Sequence, residues 1–384
     1  MSHEFASNAE VDFHPRHLYD KSTSSFGQKD NEVNVSSMEF QNPLLPSGQD
    51  PFVTYHDGNY HYLHAGASLG WTPVYLSVAP SLTGLRTAER IPVWTPPQEG
   101  EASTDTWAPE MHRDRIDGKW WMYAAAWSGK AGDPHRMYAF EGGKDPREGF
   151  SMKSEIIGTQ TAWGIDGTLL QDGDRTYYLW SGKERLTIDP TMPTGISYTN
   201  PDTQHLFIAE MKSPWELTGP SVKISSPTFD WEFSEPQPVN EAPQVLLNPK
   251  MPKRTMLGFS AGHTLGPDYK QGLLVNDSGD FLNPASWNKV AQPLFSRTED
   301  VYGPGHPSFV ATPHGEHWIV YHSAKEEFSG LDRQVNAQPF TWSSDGFPLF
   351  GQPVSPREVL IDTTAKSQNE HVNLYSQPLS AVAD

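Results

Sequence analysis

The chain has 384 residues, 36% of them apolar and 12% aromatic, enough to bury a sizeable core. Its formal net charge of −19 argues against nucleic acid or an anionic membrane surface as a partner, and is compatible with a neutral ligand such as a sugar. The absence of cysteine excludes disulfides and thiolate metal sites, and 34 Pro, 31 Gly and 13 Trp favour an all-β protein rich in turns.

Residues 1–36, opening "MSHEFASNAEVDFHPRHLYD", are polar and mixed and read as an N-terminal extension. They lack the basic start and apolar run of a secretory signal. With the missing cysteine this leans toward a cytoplasmic protein, or toward a secreted one whose leader has been removed. No run approaches the length of a membrane span. No Gly/Ser linker breaks residues 37–363, so one continuous domain is expected there, followed by a polar tail over 364–384.

Five segments of that domain end in an aromatic-rich strand: "DGNYHYLHAG" from Asp57, "DGKWWMYAAAW" from Asp117, "DGDRTYYLWSG" from Asp172, "PKRTMLGFSAG" from Pro252 and "HGEHWIVYHSA" from His314. Most open on a turn pair, so each resembles the second arm of a β-hairpin. The first arms also align: "GQDPFVTYH", "WAPEMHRDRI", "GIDGTLLQ", "NEAPQVLL" and "GPGHPSFVAT". Each first arm carries one polar residue shortly before its turn, namely Asp50, Glu110, Asp166, Glu241 and His306. The repeats, about 55 to 75 residues apart, predict a five-bladed β-propeller. The first strand of each blade lies nearest the axis, so the five polar residues are expected to converge on a central cavity. Clustered carboxylates repel one another and lose hydration, which makes such a ring a functional rather than a stabilising feature.

Two carboxyl groups facing each other across a pocket are the minimum for hydrolysing a glycosidic bond: one protonated to assist the leaving oxygen, one ionised to activate water or attack the sugar. A third can tune the acid by repulsion. Spacing alone does not assign these roles among the four carboxylates. Aromatic residues near the ring could stack on sugar faces. Phe52, Trp71, Trp107 and Trp163 are the candidates, and Trp107 and Trp163 each stand three residues before a ring carboxylate.

Two patterns are set aside. "GFSAG" over Gly258–Gly262 matches a nucleophile elbow, but "HTLGPDYKQG" after it is no helix. The pairs His61/His64 and His314/His317 have residues three apart, which face opposite sides of a strand and do not share a metal. His306 in "YGPGHPSF" differs, because its axial position could hold a cation or a water at the cavity floor.

With these motifs the chain resembles family 43 of the glycoside hydrolases, inverting five-bladed propellers acting on arabinose- and xylose-containing polysaccharides, and within it the exo-α-1,5-L-arabinofuranosidase branch. The resemblance covers about residues 42–355 and rests on "NPLLPSGQDPFVTYHDG", "TWAPEMH", "AWGIDGTLLQDG", "FDWEFSEPQPVNEAPQVL", "VYGPGHPSF" and "QPFTWSSDGFPLFG". It implies that Asp50 is the general base, Glu241 the general acid and Asp166 the carboxylate that tunes and positions the acid. It implies an axial role for His306 at a central calcium or water site, and a sugar-hydroxyl contact for Arg333. Glu110 receives no proton-transfer role. No cofactor is needed for proton transfer. The expected partner is an arabinose-containing oligo- or polysaccharide, acted on by a monomer. The rival readings are a β-xylosidase or endo-arabinanase on the same fold, and a carbohydrate-binding propeller without catalysis.

Overall fold

A computed structural model of the chain describes residues 38–365, apart from 67–68, 189–190, 192–195, 198–202 and 234–237. The extension expected over 1–36, and all but the first two residues of the tail expected over 364–384, lie outside the described residues.

Each of the five repeats forms one four-stranded antiparallel sheet from a contiguous stretch of chain. The first begins with Phe52–His56 and Asn59–Ala65. Asp57 and Gly58 join them, both with positive φ (45° and 78°), as a two-residue hairpin whose twist matches the strands requires. The first strands of the other four blades are Thr104–Arg113, Trp163–Asp172, Asn240–Leu247 and Tyr302–Ala311. Each first strand touches the first strands of both neighbouring blades, and the fifth returns to the first. The molecule is therefore the five-bladed β-propeller expected, with the first strands innermost. Among the described residues the only helical turns are short 3₁₀ segments.

The core is divided into five apolar clusters, one between each pair of adjacent blades. Strands buried on both faces read as near-continuous apolar runs, which is why "WWMYAAAW" and "HWIVYHSA" lack clean alternation. Most tryptophans serve this packing: Trp120 lies between blades 1 and 2, Trp180 between 2 and 3, Trp287 between 3 and 4.

The ring is closed from outside the blades. Met38–Phe40 pairs antiparallel with Leu360–Asp362. Asn42 exchanges two 3.0 Å hydrogen bonds with the Ala337 backbone of blade 5. Asp362 accepts from the amide and hydroxyl of Thr83 in blade 1, at 2.8 and 2.6 Å.

Candidate active site

Every innermost strand carries the same local distortion. Asp50, Ala108, Asp166, Ala242 and His306 all have φ between 42° and 55°, in the left-handed region that side chains rarely adopt. In blades 2 to 5 that residue sits inside a β-bulge, and pairing resumes two residues later, at Glu110, Thr168, Gln244 and Ser308. In blade 1, Phe52 is the first paired residue, again two beyond Asp50. A non-glycine residue held left-handed costs about 1–2 kcal/mol, and such strain persists where the surrounding structure enforces it. The bulge turns a strand that would alternate faces so that its side chain is re-aimed.

Asp166, with which the "GIDGT" motif is built, shows the local requirement. A Cβ on the following Gly167 would lie 1.8 Å from the Tyr178 hydroxyl, so only glycine lets the bulge pass.

The register also explains Glu110. It stands two residues beyond the left-handed position, level with Gln244, and accepts a hydrogen bond from the Gln244 side-chain amide. Its other oxygen lies 2.9 Å from His112 Nε2. Glu110 thus belongs to a second tier of the inner strands, with Phe52, Thr168 and Ser308. Glu241, in contrast, immediately precedes the left-handed residue of its blade.

Asp50 Oδ1 lies 3.1 Å from His306 Nδ1, 3.1 Å from His322 Nδ1 and 3.8 Å from Arg333 Nη1. Burial alone would raise its pKa. The charge of His306 and hydrogen bonds from His306 and His322 override that and hold it well below the usual carboxylate range. His306 would be lowered by burial, but Asp50 and Asp166 bring it up to about 9, so it is an imidazolium at neutral pH.

Glu241 is 8% exposed, and burial pushes its carboxyl up. Its Oε1 accepts from the Tyr269 hydroxyl and its Oε2 from Gln204 Nε2, both at 2.8 Å. Asp166 Oδ2 accepts from the Ala242 amide at 2.9 Å, which ties it to the residue after Glu241. Burial and the charge of Glu241 raise Asp166 to about 8, against the lowering charge of His306.

Asp50, Asp166, Glu241, His306 and Arg333 therefore come together. Arg333 also donates to the Thr264 carbonyl (2.7 Å) and hydroxyl (2.9 Å), which fixes its guanidinium beside Asp50. The aromatic candidates are more dispersed. Trp163 and Phe52 lie in inter-blade clusters, 4% and 7% exposed. Trp107 is half-buried and stacks on His135 at 3.8 Å between centroids. Trp71 is 45% exposed, its indole nitrogen donating to the Pro96 carbonyl at 3.0 Å.

Three partners escape sequence reasoning: His322, Tyr269 and Gln204. A histidine inside the otherwise apolar "WIVYHSA" was the available signal, because a fully buried polar ring needs a reason. Ser260 of "GFSAG" lies in a strand and accepts from the His306 amide at 2.9 Å, so no nucleophile elbow is present there. His61 packs on Trp120, whereas His64 stacks on Tyr62 and Tyr75.

The fit of calcium at His306 can be tested on the donors. Calcium takes six to eight oxygen ligands, whereas His306 turns its Nδ1 to Asp50 Oδ1 at 3.1 Å. Among the described residues no group of three or more histidine and carboxylate side chains has the arrangement of a metal cage.

Residues 40–348 match the model of "Glycosyl hydrolases family 43". The chain is 34% identical over 331 residues to the extracellular exo-α-(1→5)-L-arabinofuranosidase of Streptomyces avermitilis, covering 83% of this chain and 64% of that protein. It is 30% identical over 296 residues to the protein of the same name from Streptomyces chartreusis, covering 75% and 83% of the two chains. The chain thus spans less than two thirds of the S. avermitilis protein. In structure it is similar to the α-L-arabinofuranosidase of Lactobacillus brevis, with a TM-score of 0.72, 31% identity, and coverage of 83% of this chain and 98% of that one.

Proposed function

This chain belongs to glycosyl hydrolases family 43, and we propose that it removes terminal α-L-arabinofuranosyl residues from arabinan or arabino-oligosaccharides with inversion at the anomeric carbon. The observation that carries the reading is the opposite treatment of two carboxylates in one buried cluster. Asp50 is held ionised by His306 and His322, while Glu241 is pushed up by burial. Environments that drive two carboxyls apart in this way assign base and acid.

Glu241 protonates the oxygen that leaves. Asp50 draws a proton from water on the opposite face of the sugar. Asp166, hydrogen-bonded to the amide next to Glu241, keeps the acid aligned. Arg333 is fixed to meet a sugar hydroxyl from beside the base. The arabinofuranosidases to which the chain is similar support the choice of sugar.

The test is the anomer first released. Room for a water sets the Asp50–Glu241 separation of an inverting enzyme at about 6.5–9.5 Å, so early proton NMR spectra should show β-L-arabinofuranose from an α-linked substrate. Initial appearance of the α-anomer would sink the inverting mechanism.

A further inference from the structure

Tyr269 and His322 join the two halves of the proposed acid–base pair. Tyr269 donates to Glu241 Oε1 at 2.8 Å. Its ring lies almost parallel to that of His322, 10° apart, with centroids 5.7 Å from each other. His322 Nδ1 in turn stands 3.1 Å from Asp50 Oδ1 and 3.2 Å from the Asp50 amide nitrogen. A continuous path of four side chains, Asp50–His322–Tyr269–Glu241, therefore runs from base to acid.

Both middle residues are fully buried, each 0% exposed. Two apolar rings would fill the same space without desolvating any polar group. Instead a hydroxyl and an imidazole are present, and among the described residues His322 Nε2 has no hydrogen-bond partner. Through Nδ1 the ring is committed to Asp50, facing both its carboxylate at 3.1 Å and its amide nitrogen at 3.2 Å. The polar edge of each ring is thus spent on one carboxylate.

The backbone makes room for this pair. Gly305 is the blade-5 counterpart of Glu241, each immediately preceding the left-handed residue. A Cβ there would lie 2.0 Å from the Tyr269 ring. Gly305 pairs directly with His322 across the sheet. Where blade 4 places its acid, blade 5 has an empty position that admits the Tyr269 ring.

We propose that the stacked His322–Tyr269 pair is a rigid spacer that sets the separation of Asp50 and Glu241, and so the room left for the attacking water. They are positioning residues, acting through the two carboxylates. The inference rests on the proposed acid–base roles.

The experiment is a double-mutant cycle on α-1,5-linked arabinobiose using Tyr269→Phe, which keeps the ring and removes the donor, and His322→Asn. Each is expected to lower kcat about tenfold or more, since small misplacements of reacting groups are costly, with KM within about twofold. Residues acting as one unit are not additive, so the double variant should lose no more than the worse single within about threefold. Gly305→Ala should reproduce the kcat loss, though Gly305 contributes no side chain to either carboxylate. Thermal melting checks folding, and if His322→Asn does not fold, Gly305→Ala takes its place in the cycle. Losses that multiply, or that fall on KM alone, overturn the spacer. A wild-type protein inactive on every arabinofuranoside overturns the proposed function instead, so the two failures are distinguishable.

Discussion

A general acid helps only as far as its leaving group needs a proton. Glu241→Ala should therefore lower hydrolysis of arabino-oligosaccharides by about 10²–10⁴-fold, yet cost much less on a nitrophenyl arabinofuranoside, whose leaving group departs largely unassisted. Asp50→Ala removes the activation of water, so both substrates should suffer alike. Steady-state rates on the pair of substrates decide it, and the reverse pattern would exchange the two roles. The pH profile tests the environments separately. Asp50 must be ionised, and His306 holds it so to unusually low pH. Removing that cation in His306→Gln raises the Asp50 pKa, so the acidic limb of kcat/KM should move toward neutrality; an unmoved limb would refute the pairing. Of these residues, Asp50, Asp166, Glu241 and His306 are readable from sequence, because each is a polar residue at the head of an apolar strand. Glu110 reads the same way yet sits a tier below, since the bulge falls two residues before it rather than at or beside it. Tyr269 and Gln204 are not readable, because they come from later parts of their blades and meet Glu241 only after the sheets fold.

Elements between blades carry their own polar cores. The turn Asp230–Glu232 connects blade 3 to blade 4 and buries Glu232 completely. One carboxylate oxygen accepts from the amides of Thr228 (2.7 Å) and Phe229 (2.8 Å), and the other meets Lys289 Nζ at 2.5 Å and Asn240 Nδ2 at 2.8 Å. Asn240 is the residue before Glu241, so this cluster anchors the start of the strand that bears the acid. Breaking a buried ion pair leaves the partner's charge uncompensated, and Glu232→Ala should destabilise the protein by about 3–5 kcal/mol. Chemical denaturation would show it as a lower midpoint with unchanged slope, and a loss under ~1 kcal/mol would mean that water reaches Lys289. The hairpins themselves are legible in the sequence, since Asp-Gly pairs and aromatic runs are local signals. The ion pair is not, because Glu232 and Lys289 are far apart in the chain and nothing local marks either as buried.

At the scale of the molecule, five blades of contiguous chain leave the seam between first and last without a shared sheet. The clasp of Met38–Phe40 on Leu360–Asp362, with Asp362 holding Thr83 and Thr364, takes the place of one. Asp362 is 1% exposed, and Asp362→Ala should cost about 3 kcal/mol, because several hydrogen bonds to a charged group are lost together. Calorimetry should show a single transition at lower temperature; an unchanged midpoint would mean that blade packing alone closes the ring. Blade number follows from the repeats in the sequence, but the clasp does not, as its strands are three residues long and carry no periodicity. The left-handed notch at the head of every inner strand has a wider meaning. The backbone offers the axis five equivalent addresses, and this protein fills three with Asp50, Asp166 and His306 while Ala108 and Ala242 give only a methyl group. Strain is thus maintained even where no chemistry is attached to it. The scaffold encodes where functional groups can stand independently of which groups stand there, so a change of one residue at a blank address alters the pocket without redrawing a strand.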